Sequence, residues 1–134
     1  MKLDSQKGRS LQALGVATLY LFGSRAQGVA REDSDYDFGI LLKNPSVLKT
    51  GSQTLYQKIF ELLEDTVRGL KTLDIVFLDR APLQLRYHVI RVGIPLLDAD
   101  PIRRGRFEER TLLEHADFEP YRRLFEEATL ARIS

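Results

Sequence analysis

The chain has 134 residues, 43% of them hydrophobic, which is enough for one domain with its own core. Its 20 Lys and Arg residues balance 19 Asp and Glu residues, so the formal net charge of +1 gives no general attraction to nucleic acid or to an anionic membrane. The absence of cysteine excludes disulfides and thiol chemistry and suits a reducing cytoplasm. We therefore expect a single cytoplasmic domain over residues 1–134, without a signal peptide or membrane segment and without direct nucleic-acid binding.

The first predicted elements are a helix, a buried strand and a short helical turn. Residues 10–16 look like the end of the helix, and the β-branched, aromatic and aliphatic run 18–22 predicts the strand, which ends at Gly23. Residues 24–28 then favour one or two helical turns with Ser24 as the N-cap. Unpaired backbone N–H groups at such a turn attract an anion, and glycine lets the backbone approach it, so Gly23 and Ser24 are candidate phosphate-binding residues.

Two carboxylates follow this turn. Asp35 and Asp37 lie at the entry to a predicted strand over residues 38–42, where residues two apart project from the same face. Adjacent carboxylates raise each other's pKa unless a divalent cation lies between them, and Mg²⁺ takes carboxylate and phosphate oxygens as ligands. A metal site beside a phosphate-binding turn indicates phosphoryl or nucleotidyl transfer. The alternative is an ordinary Gly-Ser turn followed by an acidic strand start.

A third carboxylate, Asp74, lies near the start of another predicted strand. Residues 72–78 are apolar on both faces, which favours a central position in the sheet. If this strand pairs beside the one that starts near Asp37, the three carboxylates converge. Asp74 could then hold a metal and accept the proton of an attacking hydroxyl. The alternative is a carboxylate at a strand edge that reaches solvent or an arginine.

The remaining pattern predicts helices that alternate with strands. Apolar residues at helical spacing after Gly51 predict an amphipathic crossover helix that ends near Gly69. Pro82 begins a further helix that Gly93 closes, and residues 94–97 predict an edge strand. A helical segment begins at about residue 101 and is interrupted at Pro120. These elements predict an α/β (α+β) fold, a mixed central sheet of about four strands flanked by helices.

The motifs together resemble those of the DNA polymerase β-like nucleotidyltransferase superfamily, particularly its minimal prokaryotic branch, the MNT proteins. The resemblance rests on the segments 23–28, 34–37 and 73–76 and extends over about residues 11–98. It implies that Ser24 contacts the nucleotide phosphates and that the carboxylates of Asp35, Asp37 and Asp74 hold two Mg²⁺ ions. Arg25 is placed where it could also reach the phosphates of the ATP substrate.

The resemblance also implies a partner. A chain of this size has little room for a second, acceptor-binding domain, and minimal members of the family are often paired with HEPN proteins, which are helical ribonuclease toxins. Some of these members are antitoxins that transfer AMP from ATP to a tyrosine hydroxyl of the toxin, which is the activity that we expect here. Two alternatives are a non-catalytic antitoxin that blocks its partner sterically and a transferase that modifies a small hydroxyl compound such as an aminoglycoside.

Three further features of the sequence lead to expectations of their own. Arg110 and His115 have the spacing of a HEPN ribonuclease site but lack its following tyrosine, so we do not expect catalysis there. We expect His88 to be a packed or capping side chain rather than a base. Apolar residues of the C-terminal segment are expected to complete the core, with a partner surface as the alternative. These residues are Leu112, Leu113, Phe118, Tyr121, Leu124, Phe125 and Leu130.

Overall fold

Four strands form one mixed sheet in the order β3-β2-β1-β4, with helices on both faces. The computed structural model describes residues 2–29, 35–67 and 72–133. The helices and strands are α1 (Ser5–Ala13), β1 (Val16–Phe22), α2 (Ser24–Gln27), β2 (Tyr36–Leu42), α3 (Leu48–Thr66), β3 (Leu73–Phe77), α4 (Leu83–Val92), β4 (Ile94–Asp98) and α5 (Pro101–Ile133). The predicted fold class, with a mixed four-stranded sheet flanked by helices, is confirmed.

The strand directions bring three chain segments to one edge of the sheet. Strand β1 is antiparallel to β2 and to β4, whereas β2 and β3 are parallel. The carboxyl end of β1 therefore lies beside the amino ends of β2 and β3. Phe22 pairs with Asp37, and Asp37 pairs with Asp74, so this edge carries the residues that follow β1 and those that begin β2 and β3.

The two faces of the sheet bury separate apolar clusters. The face under α1 and α3 buries Leu19, Phe38, Ile40, Ile59 and Leu63, among others. The face under α4 and α5 buries Tyr20, Phe22, Leu41, Val89 and Phe107. Side chains alternate along a strand, so successive residues of β1 and β2 contribute to opposite clusters.

Strand β3 is an edge strand, so its predicted central position is wrong. Among the described residues it pairs only with β2, and of its own five residues only Ile75 is buried. Apolar residues on both faces of a strand indicate that both faces are covered, but they do not indicate that the strand has a hydrogen-bonded neighbour on each side. Strand β4 lies at the opposite edge, as predicted, and contains Pro95.

The helix boundaries follow the predicted pattern with three differences. Helix α1 ends at Ala13, and Val16 already belongs to β1. Helix α3 begins at Leu48 with a kink at Gly51, whose φ of 155° is not helical, and ends at Thr66; the predicted end near Gly69 lies outside the described residues. Gly23, not Ser24, is the N-cap of α2, because Ser24 already has helical geometry and no side chain caps the turn.

Helix α5 continues through Pro120, so the predicted interruption there is wrong. A proline inside a helix removes one hydrogen bond, here to the carbonyl of the exposed Ala116, which water can reach. The expectation that the C-terminal apolar residues complete the core is wrong for those whose side chains are described. Leu112, Leu113, Phe118, Tyr121 and Leu124 are each between 42% and 63% exposed, whereas Phe107 is buried. The side chains of Phe125 and Leu130 lie outside the described residues.

Candidate active site

Gly23 ends β1 in a conformation that only glycine adopts readily. Its φ of 72° and ψ of −158° would strain any residue with a side chain. A Cβ at this position would also overlap the Oδ2 atom of Asp37, so the backbone of the turn lies against that carboxylate. Helix α2 begins at the next residue, Ser24, and the first amides of a helix have no partner within it. The predicted phosphate-binding turn and the predicted metal ligand are therefore in contact.

Asp37 and Asp74 lie opposite each other on β2 and β3 and point to the same face of the sheet. Phe38 belongs to the cluster under α1 and α3, whereas Leu41 belongs to the cluster under α4 and α5. Alternation along β2 therefore places Asp37 on the α4 and α5 face, and the register with β3 places Asp74 there too. Phe22, the β1 partner of Asp37, is on the same face.

Burial and the neighbouring carboxylates affect the pKa of Asp37. Burial raises the pKa of the Asp37 carboxyl above its ordinary value, and the charges of Asp74 and Asp35 raise it further. Three carboxylates that repel in this way form a strongly negative edge. Such an edge would be stabilised by a bound cation.

Asp35 lies just before β2 and is held by the segment that leads into β3. Its carboxylate accepts a hydrogen bond from the hydroxyl of Thr72, while the backbone N–H of Tyr36 donates to the Thr72 carbonyl at 3.0 Å. Among the residues that the structure describes, no three carboxylate or imidazole side chains stand close enough to hold one ion together. The bond to Thr72 fixes Asp35 to the segment that leads into β3, and its charge still contributes to the raised pKa of Asp37.

A divalent cation nevertheless suits these residues. The donors are carboxylate oxygens, which are the hard ligands that Mg²⁺ prefers, and one of them, the Asp37 carboxylate, lies against the glycine turn. Burial raises the pKa of Asp37 most and the charges of Asp74 and Asp35 raise it further, and a bound cation would offset that repulsion.

Arg25 lies on the other side of the turn from Asp37. Its guanidinium carbon is 4.4 Å from the centre of the Tyr36 ring, and Tyr36 stacks in turn on Phe38. Tyr36 alternates with Asp35 and Asp37 along the chain, so this stack faces α1 and α3. The cation stacked on an aromatic ring fixes the first turn of α2 to the start of β2.

The structure shows the contacts of the two histidine-containing features. Arg110 is exposed, with its Nε 3.9 Å from the Glu114 carboxylate, and His115 stacks on Tyr87. His88 packs edge to face against Phe22, with 6.4 Å between ring centres.

Sequence reasoning missed two residues at this edge. Thr72 and Tyr36 organise Asp35 and Arg25, although neither was assigned a role. Each is adjacent in the chain to a predicted site element, but their partners depend on how β2 and β3 pair. No helix among the described residues is long and apolar enough to cross a membrane.

The chain belongs to the polymerase β nucleotidyltransferase family. The family model described as "Polymerase beta, Nucleotidyltransferase" matches residues 10–102, which contain the glycine turn and all three carboxylates. No curated protein matches the chain in sequence.

Solved structures with the same fold come from toxin–antitoxin complexes. A chain from a toxin–antitoxin structure with AMP-PNP is 19% identical, with 92% of this chain and 98% of that chain covered and a TM-score of 0.69. One from the MntA–HepT toxin–antitoxin is 18% identical, with 95% and 99% covered and a TM-score of 0.60. A third comes from the tri-AMPylated Shewanella oneidensis HEPN toxin in complex with its MNT antitoxin; it is 16% identical, with 96% and 99% covered and a TM-score of 0.64. At these identities the likeness shows a shared fold.

Proposed function

We propose that the whole chain acts as one nucleotidyltransferase domain, an antitoxin that transfers AMP from ATP to a tyrosine hydroxyl of a HEPN-type toxin. The observation that carries the proposal is the contact between the Gly23 turn and the Asp37 carboxylate, with Asp74 beside it on the next strand. A phosphate-binding turn against a carboxylate pair is the arrangement that nucleotidyl transfer needs.

Each residue has a chemical role in this proposal. The turn at Gly23 and Ser24 holds the phosphates of ATP, and Arg25, whose guanidinium stacks on Tyr36, adds positive charge to this turn. The carboxylates of Asp35, Asp37 and Asp74 would hold two Mg²⁺ ions. When bound, these ions would neutralise phosphate charge and favour the ionised form of the attacking hydroxyl. The hydroxyl oxygen forms a bond to the α-phosphorus, the bond from that phosphorus to the bridging oxygen of the β-phosphate breaks, and pyrophosphate leaves. Asp74, the more exposed of the paired carboxylates, accepts the hydroxyl proton.

The structural neighbours support the choice of nucleotide and acceptor. One was solved with AMP-PNP, an ATP analogue, and another with a toxin that carries three AMP groups. The match covers 98–99% of these chains, so the similarity extends over their whole length. In that complex the acceptor is the toxin, a separate protein, which agrees with a small transferase whose acceptor comes from a partner.

The test is transfer of labelled AMP to the partner. The protein is incubated with Mg²⁺, ATP labelled at the α-phosphate and the product of the neighbouring gene, tested as the HEPN-type partner. We expect label on the partner, and a loss of at least a hundredfold in rate with Asp35→Asn or Asp37→Asn, because each variant removes a charge that faces the metals. Asp65→Asn, at an exposed carboxylate of α3, is the matched control and should transfer at the wild-type rate.

The same experiment identifies the alternatives. If the partner is neutralised without label, by wild type and variants alike, the protein is a steric antitoxin and the proposal is wrong. If a tyrosine-free variant of the partner accepts label equally well, the assigned acceptor is wrong.

A further inference from the structure

Thr72 lies beside Asp35 where β2 and β3 begin. Asp37 lies opposite Asp74 in this parallel pair of strands. The backbone N–H of Tyr36 donates to the Thr72 carbonyl at 3.0 Å and extends the ladder toward the amino ends of both strands. Side chains two positions apart on a strand share a face. Asp35 and Thr72 therefore form the next cross-strand pair on the face that carries Asp37 and Asp74.

Thr72 is the one member of this group of four that can donate a hydrogen bond from its side chain. Its hydroxyl donates to the Asp35 carboxylate, 37 positions away in the chain. The other three members are carboxylates, which accept hydrogen bonds and repel one another when ionised. Asp35 is exposed, so without a donor its carboxylate is free to turn into solvent, away from the other negative charges. The hydroxyl of Thr72 keeps it at the edge of the sheet.

The bond to Thr72 leaves Asp35 able to bind a cation. The hydroxyl donates to Oδ1 of Asp35, and a carboxylate has two oxygens, so Oδ2 can still act as a metal ligand. Hydrogen-bond partners of metal ligands fix the orientation of those ligands, and their loss typically lowers metal affinity by about 10- to 100-fold. Thr72 has the position and the chemistry of such a partner.

We propose that Thr72 is a positioning residue for the divalent cation, because its hydroxyl holds the Asp35 carboxylate in place before the cation binds. Thr72 itself contacts neither the cation nor ATP and acts through Asp35. A ligand that is already ordered loses less conformational freedom when it binds, so the affinity for the cation is higher. This inference rests on the proposed function, which supplies the cation, and extends it to a residue outside the carboxylate set.

A merely structural role of Thr72 can be separated from this one. The backbone bond between Tyr36 and Thr72 does not involve the threonine side chain, which is exposed. Thr72→Val keeps that bond and a β-branched side chain, which suits a strand, and removes the hydroxyl. We therefore expect the metal-free melting temperature of Thr72→Val to lie within about 3 °C of that of the wild type.

The test is the affinity for Mn²⁺, measured by electron paramagnetic resonance of the free ion with protein purified without metal. We expect Thr72→Val to bind Mn²⁺ at least about tenfold more weakly than the wild type. Thr72→Ser keeps the hydroxyl and should bind within about threefold of the wild type. Thr54→Val, at an exposed threonine of α3, is the matched control and should bind like the wild type. Equal affinities of Thr72→Val and the wild type would overturn the proposal.

AMP transfer at increasing free Mg²⁺ gives an independent readout. With Thr72→Val the half-saturating Mg²⁺ concentration should rise at least about tenfold, whereas the maximal rate should stay within about threefold, because a saturating cation orders Asp35 without the hydroxyl. A fall in maximal rate at an unchanged half-saturating concentration would show that Thr72 contacts the reacting groups, and the positioning role would be wrong.

The outcomes separate Thr72 from the proposed function. A wild type that transfers AMP, together with a Thr72→Val protein that has unchanged Mn²⁺ affinity and Mg²⁺ dependence, overturns the role of Thr72 and leaves the proposed function intact. A wild type that neither binds Mn²⁺ nor transfers AMP overturns the proposed function, and the role of Thr72 with it.

Discussion

Gly23 is needed both for the backbone conformation of the turn and for the close approach of a candidate metal ligand. A Gly-Ser pair after a strand predicts a turn, but the reason for glycine here is double: a left-handed φ and the close approach of Asp37. Gly28, five residues later, also has a positive φ of 73°, yet a Cβ there would meet no other atom. A substitution at Gly28 would therefore test backbone strain alone, whereas one at Gly23 would test strain together with the clash with Asp37.

Gly23→Ala should abolish AMP transfer, whereas Gly28→Ala should keep most of it. Both changes strain the backbone by about 1 kcal/mol, but only the first pushes the Asp37 carboxylate out of place. Transfer rates and thermal melting of the two variants measure this. Equal losses of activity in both would show that strain alone matters.

Asp37→Asn should stabilise the metal-free protein in a manner that depends on pH. The pKa of Asp37 is raised above its ordinary value of 3.8, so the folded state binds the proton more tightly than the unfolded state does. Stability of the wild type therefore falls as the pH rises from that value through the raised pKa, and the penalty persists at neutral pH. We expect the melting temperature of Asp37→Asn to exceed that of the wild type near pH 7 and to match it at the acid end.

Mg²⁺ should reverse this order. At ten times its dissociation constant, an ion that binds only the folded state adds about 1.4 kcal/mol to the wild type and less to Asp37→Asn. Thermal melting with and without Mg²⁺ measures both effects. A wild type that melts at the same temperature with and without Mg²⁺ would contradict the assignment of the carboxylates as metal ligands.

At the level of elements, the first part of helix α5 is packed against the domain, whereas its later part is exposed to solvent. Phe107 is buried in the cluster under α4 and α5, and Thr111 is buried where the Arg86 guanidinium of α4 donates to its hydroxyl. Glu108 accepts a hydrogen bond of 2.8 Å from the buried Tyr20 hydroxyl, whose pKa is raised by burial and by this carboxylate. Further along, Phe118 is 42% exposed. Composition could not distinguish these phenylalanines, because both occur in similar amphipathic surroundings.

Phe107→Ala should destabilise the protein by about 3–5 kcal/mol, and Phe118→Ala by less than about 1 kcal/mol. The first leaves a cavity in the cluster under α4 and α5, whereas the second removes a side chain already in contact with water. Urea unfolding of the two variants on the same helix is the measurement. Similar losses would mean that the second half of α5 is packed against the domain.

For the strands too, the pattern within a segment predicts the strand, whereas its neighbours depend on residues far away in the chain. The runs that form β1 and β2 were predicted because apolar and β-branched residues are continuous there, and the parity of Asp35 and Asp37 followed from the strand period. The edge position of β3 was missed because the residues of one strand do not specify how many neighbours it has. Similarly, the bond from Thr72 to Asp35 spans 37 positions in the chain and arises only from strand pairing.

At the scale of the whole molecule, the sheet and the first half of α5 form the packed body, and the described side chains after residue 117 are largely exposed. Their ion pairs, such as Arg122 with Glu119, lie within the helix itself. Such pairs at the surface contribute little to folding.

A chain that ends after Asp117 should therefore remain folded. We expect its stability to lie within about 1 kcal/mol of the full chain, because the apolar clusters on both faces of the sheet are retained. A chain that ends after Asp100 loses Phe107 and should unfold, which provides the control. Circular dichroism during thermal melting distinguishes the three proteins, and unfolding of the longer truncation would contradict the prediction.

The sequence by itself determined the order of the elements, the glycine turn and the carboxylates two residues apart, because these depend on interactions within a few residues. It also determined that Asp74 lies near the start of a strand. The tertiary structure alone decided that Gly23 touches Asp37 and that Asp74 lies opposite Asp37. Gly23 and Asp37 are 14 positions apart in the chain, and Asp37 and Asp74 are 37 positions apart. Their contacts depend on how the strands pair, which no local pattern specifies.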